Sequence, residues 1–309
     1  MKRSSKLILR SKLSGSLSGQ LLMTAPSFPW LILFFVIPTI IIFVIAFRAP
    51  DLYGGVSKEW TLDGFKRIFN PYFGAVVWRT LWISTISTAI CSVLSLPMGY
   101  YIARSSPSFQ RILLLLTIVP FWSSFLIRIF AWKSLLHPEG VLKGILVYLH
   151  LASPNSSLLY HSGTVVLVTV YSFLPFAILP IYAAMVKFDF RLFEAALDLG
   201  ATRLQTFFKI LLPGIRVGIM SALLMVFIPA LGSYVIPDLV GGTQSEMIGN
   251  KIAQRIFLER NLPEASALSA LLTLAVLIPL LTVWVIRTRR SATKAPQPLT
   301  SKRLHAKAQ

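Results

Sequence analysis

The sequence predicts an all-α integral membrane protein with six transmembrane helices and both termini in the cytoplasm. Hydrophobic residues make up 55% of the chain and charged residues only 13%. Several uncharged apolar runs reach the roughly 20 residues that cross a bilayer core. The lysines and arginines are distributed unevenly between alternate connecting segments, which is the pattern that sets membrane orientation.

Six apolar runs are the predicted spans: 28–47, 76–103, 112–136, 163–186, 214–236 and 266–286. The first follows a basic, Ser-rich segment, as the apolar region of a signal peptide does. However, this run is too long for such a region and ends in Arg48-Ala49-Pro50 without a small-x-small cleavage site. We therefore expect an uncleaved helix, and three parts of the chain: a basic tail 1–27, a six-span domain 28–287 and a basic tail 288–309.

Some residues within the spans predict local geometry. Pro97 is expected to bend the second span, while the third span contains Pro120 and the fourth contains Pro175 and Pro180. Gly214, Gly218 and Ala222, spaced four apart, would let the fifth span approach a neighbour closely. Arg128 and Lys133 lie in the third span. They either reach the interface along their apolar stems or line a polar cavity.

The charge count predicts which segments are cytoplasmic. Of the 30 Lys and Arg residues, 19 lie in the two tails, the 104–111 turn and the 187–216 segment. The opposite side holds 8, or 11 if Arg79, Arg128 and Lys133 are included. The bias places both tails and the 187–216 segment in the cytoplasm.

The formal net charge of +19 also agrees with nucleic-acid binding, but the clustering of basic residues in tails and particular loops indicates membrane topology instead. No nucleic-acid partner is expected. Cys91 is the single cysteine, and the four histidines lack the i, i+4 spacing of a helical metal site. Neither a metal nor a cofactor is expected.

The segment 187–213 is a polar interruption among apolar runs. Leu192, Phe193, Ala196 and Leu199 fall on one helical face, with Glu194 and Asp198 opposite. Gly200 suits a helix C-terminus, and Thr202 to Gln205 has the pattern of a capping box. An apolar stripe follows, after which Pro213 ends the helix: Leu204, Phe207, Phe208, Leu211 and Leu212. This periodicity predicts two amphipathic helices around a glycine hinge, and it alone fits an ordinary connecting loop equally well.

The same segment resembles the EAA loop of ABC-importer permeases at every motif position: Glu194-Ala195-Ala196, Gly200 and Ile210-x-Leu212-Pro213. Two further stretches, 120–141 and 235–267, resemble the spermidine/putrescine branch of that family, and more specifically the first of its two permease subunits. The resemblance covers the whole six-span region and implies the binding-protein-dependent ABC-importer permease fold in a bacterial inner membrane.

The resemblance implies a transport subunit rather than an enzyme. Its implied partners are a cytoplasmic ABC ATPase dimer, a second permease subunit that is related but distinct, and an external substrate-binding protein. The chain has no Gly-x-x-x-x-Gly-Lys-Ser/Thr phosphate loop, so ATP binds to the partner. Coupling residues would be Glu194, Ala195, Ala196, Asp198, Gly200, Ile210, Leu212 and Pro213.

Substrate identity is less constrained by the sequence. A polyamine path is expected to offer carboxylates or aromatic faces, and the candidates are Trp122, Trp132, Tyr171, Tyr234 and Asp238. For each aromatic residue, packing or an interfacial position is an open alternative. Opines, other amino compounds, phosphonates and ferric iron are alternative cargoes within the class. An ATP-independent secondary transporter is a more distant alternative, since the spans show neither a repeat nor many ionisable residues.

Overall fold

A computed structural model describes residues 27–51, 54–68, 71–150, 153 and 156–293. The long helices of this part of the chain are α1 Ser27–Ala46, α3 Pro71–Arg104, α7 Ser162–Val186, α10 Arg216–Leu231 and α12 Leu262–Thr293. Shorter helices are α2 Asp63–Ile68, α4 Pro107–Ile118, α5 Phe125–Leu136, α6 Val141–Tyr148, α8 Arg191–Asp198, α9 Arg203–Gly214 and α11 Ile248–Phe257. Strands β1 Arg48–Pro50 and β2 Val56–Trp60 pair antiparallel. Of the predicted basic tails, 1–26 and 294–309 lie outside the described residues.

Four helices in the described residues are long and apolar enough to cross a membrane: α1, α3 from Tyr72, α7 and the Leu262–Thr282 part of α12. Two bent pairs raise the number of candidates to as many as six. The predicted spans 28–47, 76–103, 163–186 and 266–286 therefore correspond to single helices. The other two predicted spans differ from the structure in informative ways.

The third predicted span, 112–136, is not one helix. It divides into α4, a 3-10 turn at Val119–Trp122, and α5, and the two arms meet at 90°. Pro120 cannot continue the helical hydrogen bonding, and Ser123 and Ser124 adopt extended backbone angles, with ψ of 151° and 137°. The Ser123 hydroxyl donates to the Pro120 carbonyl at 2.7 Å, which satisfies a backbone group freed by the break.

The fifth predicted span, 214–236, is shortened at both ends. It begins after a 72° bend at Ile215, and α10 ends at Leu231. A separate π-helical turn, Pro237–Gly241, follows. Pro229 within α10 and Pro237 at the start of the turn each lack an N–H donor, so a continuous helix through this region would lose two hydrogen bonds.

Helices α3, α7 and α10 form the central bundle, and small residues set its spacing. A Cβ built on Gly99 of α3 would lie 2.9 Å from the Ile181 side chain of α7. On α10, a Cβ at Gly218 would lie 2.7 Å from the Pro180 carbonyl, and Ala222 is completely buried. The predicted close approach is confirmed at Gly218, where α10 contacts α7, whereas Gly214 lies in the preceding helix and a Cβ there would meet the Phe188 ring beyond the end of α7.

A second layer packs α12 against α1, with α2, α11 and strand β1 beside α12. Its apolar contacts centre on Ala46, Ala267 and Ala270. Its polar anchor is the buried carboxylate of Glu264, which lies 3.2 Å from Arg255 of α11 and 3.8 Å from Arg67 of α2. Asn261 accepts the Glu264 backbone N–H at 3.2 Å and caps α12.

The bundle has two ends that differ in the segments they carry. The loop end carries Arg104 and the segment 187–215, which are in contact through Glu194. The hairpin end carries the paired strands and the segment 237–262, where Ile248 N–H donates to Thr80 Oγ1 at 2.9 Å.

The close helix crossing predicts the effect of Gly218→Leu. The new side chain would meet Ala184 and the Pro180 backbone, so we expect destabilisation by about 1–3 kcal/mol from overpacking. Gly74→Leu is the matched control, because a Cβ at Gly74 of α3 meets nothing within 4 Å. Thermal unfolding in detergent, followed by size-exclusion, measures both; equal melting temperatures would contradict the close crossing.

Candidate functional site: the coupling segment and the path

The segment 187–215 forms a structured unit at the loop end. Asp189 Oδ1 accepts the Arg191 backbone N–H at 3.0 Å at the start of α8. At its end, Gly200 has φ of +87°, and two hydrogen bonds close the helix: Gly200 N–H to the Leu197 carbonyl at 2.9 Å, and Ala201 N–H to the Ala196 carbonyl at 3.0 Å. This bond pair is the Schellman motif, in which a left-handed residue ends the helix.

Helix α9 begins with the predicted capping box. Gln205 N–H donates to Thr202 Oγ1 at 3.2 Å, and Thr202 N–H donates to Gln205 Oε1 at 3.1 Å. A π-helical stretch, Phe207–Leu211, precedes Pro213. The wider turn accommodates the proline without ending the helix there, so α9 continues to Gly214.

The apolar residues of this segment divide between two environments. Ala196 and Leu211 are buried, and Leu211 belongs to a cluster with Cys91, Ile181 and Met185 of the central bundle. The opposite edge is open to solvent, with exposed fractions of 56% at Leu192, 89% at Leu199, 72% at Leu204 and 60% at Phe208. The sequence grouped Leu192 and Leu199 with Phe193 and Ala196 on one face. The bundle covers only one edge of that broad stripe.

Sequence reasoning missed a contact between the coupling segment and α3. Arg104, the last residue of α3, lies 3.7 Å from the Glu194 carboxylate and 5.1 Å from the Phe190 ring centroid. Tyr100 meets the same ring edge-on at 5.9 Å. These residues line a cleft of about 310 Å³, with Phe193, Leu197 and Arg203. The pair joins residues far apart in sequence, so no local pattern signals it.

The remaining motif residues of this segment lie mostly at its surface. Glu194, Ala195, Asp198, Gly200 and Pro213 are exposed, while Ile210 and Leu212 are half-buried. A Cβ at Gly200 meets nothing within 4 Å. The glycine is therefore required by its backbone conformation rather than by lack of space.

A second cavity, of about 330 Å³, lies between α3, α4, α5 and α7. Its lining includes Pro120 and Arg128 at the break of the third span, and Tyr171 of α7. The Arg128 guanidinium carbon lies 4.9 Å from the Phe121 ring centroid and 5.8 Å from that of Phe125. Among the described residues its buried Nε has no hydrogen-bond partner. Arg128 thus lines this cavity, and most of the other lining residues are apolar.

The predicted path residues are only partly brought together. Trp132 and Tyr171 meet edge-on at 5.2 Å. Tyr234 and Asp238 are one turn apart, with Asp238 N–H donating to the Tyr234 carbonyl at 3.0 Å, and both are exposed. Trp122 is 77% exposed at the end of the 3-10 turn.

The hairpin end holds a half-enclosed polar cluster. Glu246 Oε2 lies 2.5 Å from Lys251 Nζ, and Glu246 Oε1 accepts Gln254 Nε2 at 3.0 Å. Burial tends to raise the pKa of Glu246, but hydrogen bonds from Lys251 and Gln254 and the Lys251 charge hold it below its ordinary value. Burial tends to lower the pKa of Lys251, but the hydrogen bond to Glu246 and its charge raise it.

Within the described residues, no group of three or more His, Cys, Asp or Glu side chains could hold a metal ion.

Comparison with known proteins relates this geometry to a family. Residues 95–290 match the family described as "Binding-protein-dependent transport system inner membrane component". The spermidine/putrescine transport system permease protein PotB of Haemophilus influenzae is 37% identical, covering 80% of this chain and 86% of the relative. PotB of Escherichia coli is 35% identical, covering 82% and 93%. The inner membrane ABC transporter permease YdcU of Escherichia coli is 31% identical, covering 70% and 73%.

Solved structures share the fold. A chain of a bacterial ABC transporter that imports the acidic polysaccharide alginate is 20% identical, with a TM-score of 0.61, covering 94% of this chain and all of that one. A chain of the alginate transporter in complex with its periplasmic protein gives a TM-score of 0.64, covering 95% and 99%. The family match and the identity to PotB over most of both chains show that this chain belongs to the inner membrane components of binding-protein-dependent transport systems.

Proposed function

We propose that the chain is one permease subunit of a bacterial polyamine importer and that an ATPase drives it through the segment 187–213. The observation that carries the proposal is the coupling segment. Its fold is fixed by caps and by a buried inner edge, while a row of large apolar side chains on its outer edge is left for a partner. The similarity to the spermidine/putrescine permeases supports the cargo class.

The contacts at the two ends of the bundle support six crossings. Helix α3 runs from the hairpin end to the loop end, and α7 begins again at the hairpin end, where Tyr160 N–H donates to the Val240 carbonyl. Residues 105–161 must therefore return across the bundle, with the bend at 119–124 inside the crossing. Helices α7, α10 and α12 add three crossings and α1 adds one. In this proposal six crossings put both tails of the 28–287 permease domain on the side of the loop end, which the basic residues favour as cytoplasmic.

In this proposal the partners are those of the ABC-importer family. Two cytoplasmic ATPase subunits bind and hydrolyse ATP, and each contacts the coupling segment of one permease. The second permease is a related but distinct chain, and an external binding protein delivers cargo at the hairpin end. The alginate transporter bound to its periplasmic protein is a structural precedent for such a complex.

The motif residues receive separate roles in this proposal. Glu194 and Asp198 present carboxylates to basic groups of the ATPase, with Ala195 giving close access between them. Gly200 sets the angle between α8 and α9. Ala196 and the half-buried Ile210 and Leu212 hold the segment against the bundle, so that displacement of α8 and α9 moves α7 and α10. The exposed Pro213 lies just before the start of the fifth span. Trp132, Tyr171, Tyr234 and Asp238, with Trp122, are assigned to the path.

The open apolar edge predicts how the ATPase binds. Leu204→Asp or Phe208→Asp should weaken retention of the ATPase by roughly tenfold or more, because each removes an apolar contact worth about 1.5–3 kcal/mol when buried. Leu62→Asp is the matched control, an exposed leucine at the hairpin end. Co-purification of the ATPase with tagged permease measures the effect. Equal retention in all variants would exclude this edge as the contact.

Substitutions of Gly200, at the hinge, and of Glu194, at the acidic motif position, are predicted to uncouple cargo uptake from ATP hydrolysis. Gly200→Ala forces an L-residue into the left-handed region, at a cost of about 1–2 kcal/mol, and Gly200→Asp adds a charge there. Glu194→Lys places an ammonium beside Arg104 and removes the carboxylate. In reconstituted vesicles we expect each change to lower cargo uptake per ATP hydrolysed while membrane insertion stays normal. Gly144→Ala, at an open site without positive φ, is the control; wild-type uptake in Glu194→Lys would refute the assignment.

The cargo is tested most directly on the external binding protein that works with this chain. Thermal-shift measurements against putrescine, spermidine, opines, amino acids, phosphonates and ferric iron should show stabilisation by the polyamines, because ligand binding to the folded state raises its melting temperature. At a hundredfold excess over Kd the stabilisation is about 2.7 kcal/mol. Stabilisation by another class alone would retain the importer and replace its cargo.

A further inference from the structure

The polar cluster at the hairpin end has the composition of an ammonium-binding site. Lys251 Nζ lies 2.5 Å from Glu246 Oε2, donates to Gln254 Oε1 at 3.1 Å, and lies 5.3 Å from the Tyr72 ring centroid. A carboxylate, an amide oxygen and an aromatic face are the three groups that bind a primary ammonium most favourably. Three separate parts of the chain supply them: α3, the 246–247 connection and α11.

The group held in this site is chemically close to the proposed cargo. The lysine side chain is an ammonium on four methylenes. Putrescine is an ammonium on the same four methylenes with a second ammonium at the far end, and spermidine contains that aminobutyl unit. Lys251 therefore presents the chemistry of one end of a polyamine to Glu246 and Tyr72.

The neighbouring ionic cluster shows what a purely structural contact looks like at this end. Glu264 has only 4% of its side chain exposed, and two arginines from different helices approach it. The side chains of Glu246 and Lys251 are 19% and 13% exposed, and Tyr72 as a whole residue is 56% exposed. The Glu246 site is thus accessible from solvent, and its occupant is a single flexible side chain.

We propose that Glu246, Gln254 and Tyr72 form a polyamine-ammonium site at the hairpin end, which Lys251 fills until a terminal ammonium of the cargo displaces it. Lys251 acts as an internal competitor, so free polyamine binds weakly to the permease. Polyamine delivered at high local concentration by a docked binding protein displaces it. The identity of the cargo rests on the proposed function; the chemistry of the site does not.

The test uses Lys251→Met in the full reconstituted complex without binding protein, with radiolabelled putrescine as the probe. Emptying the site should tighten putrescine binding by about tenfold or more, since a charge-assisted hydrogen bond and a cation–π contact become available to it. Adding Glu246→Gln to Lys251→Met should abolish the gain, and 1,4-butanediol, which has the same length without charge, should not compete.

Lys66→Met is the matched control. Lys66 pairs with Asp63 at the same end, but both side chains are highly exposed, at 75% and 60%. The site is refuted if Lys66→Met tightens putrescine binding as much as Lys251→Met does, because the effect is then one of general charge. It is refuted likewise if the double variant Lys251→Met with Glu246→Gln binds putrescine as tightly as Lys251→Met. No gain in a folded Lys251→Met complex refutes it as well.

A second measurement guards against misfolding. Putrescine should raise the melting temperature of Lys251→Met more than that of the wild type. Lys251→Gln is the second variant for the case that Lys251→Met does not fold, because its amide can still donate to Glu246. In the Lys251→Met background, Tyr72→Phe removes only the hydroxyl that donates to Glu246 Oε2 at 3.4 Å and should keep more of the binding than Tyr72→Leu, which also removes the ring. Equal binding in these two variants refutes the aromatic contribution. Putrescine uptake by the wild type, measured in the same vesicles after the binding protein is added, reports on the proposed function separately. If the wild type takes up putrescine but Lys251→Met binds it no more tightly, only the proposed site is refuted. If Lys251→Met binds putrescine more tightly but the wild type does not take it up, only the proposed cargo is refuted.

Discussion

The close approach of α3, α7 and α10 is the contact on which the other features of the structure depend. In a bilayer, helices gain little from apolar association, and small residues that permit backbone contact supply much of the attraction. Gly99 of α3 and Gly218 of α10 both provide this contact at the 180–184 part of α7. The α3 stripe facing the bundle consists largely of small hydroxyl residues, including Thr80, Ser84 and Thr88, and Thr80 and Thr88 donate to their own helix carbonyls. The buried Ser84 hydroxyl has no hydrogen-bond partner among the described residues, so what these side chains share is their small size, which lets α3 approach the bundle closely.

The narrow bundle explains why the coupling segment is well ordered although it carries exposed apolar side chains. Gly214 lies against the Phe188 ring, so the two ends of the segment meet where α7 and α10 cross. Phe188 in turn contacts Phe190 edge-on at 5.3 Å, and Phe190 lies under Arg104. Each end of the segment is thus joined to a different bundle helix. Packed side chains therefore connect the segment with α3 and with the junction of α7 and α10.

Local sequence patterns predicted the parts of this arrangement that depend on nearby residues. The Thr202 to Gln205 capping box, the left-handed Gly200 and the small-residue spacing on α10 involve residues within a few positions of each other, and the structure shows all three. Pro120 lies within the predicted third span, but the break at 119–124 was not predicted, because the extended angles of Ser123 and Ser124 have no periodic signature. The Arg104–Glu194 pair and the Glu246, Lys251 and Tyr72 cluster depend on tertiary packing, which periodicity does not specify.

The charges along the crossing constrain where a polycation can rest. A single unit charge about 6 Å from the Arg128 guanidinium would experience a repulsion of about 3 kcal/mol at an effective dielectric constant near 20. A polyamine carries two or three such charges, and the described spans offer no carboxylate pair for Arg128. The cavity beside Arg128 and Tyr171 is therefore unfavourable for a stationary polyamine, although its aromatic lining alone would suit one. The Glu246 carboxylate at the hairpin end is a more favourable neighbour for an ammonium and already holds that of Lys251, while the Arg128 guanidinium lies against the Phe121 and Phe125 rings.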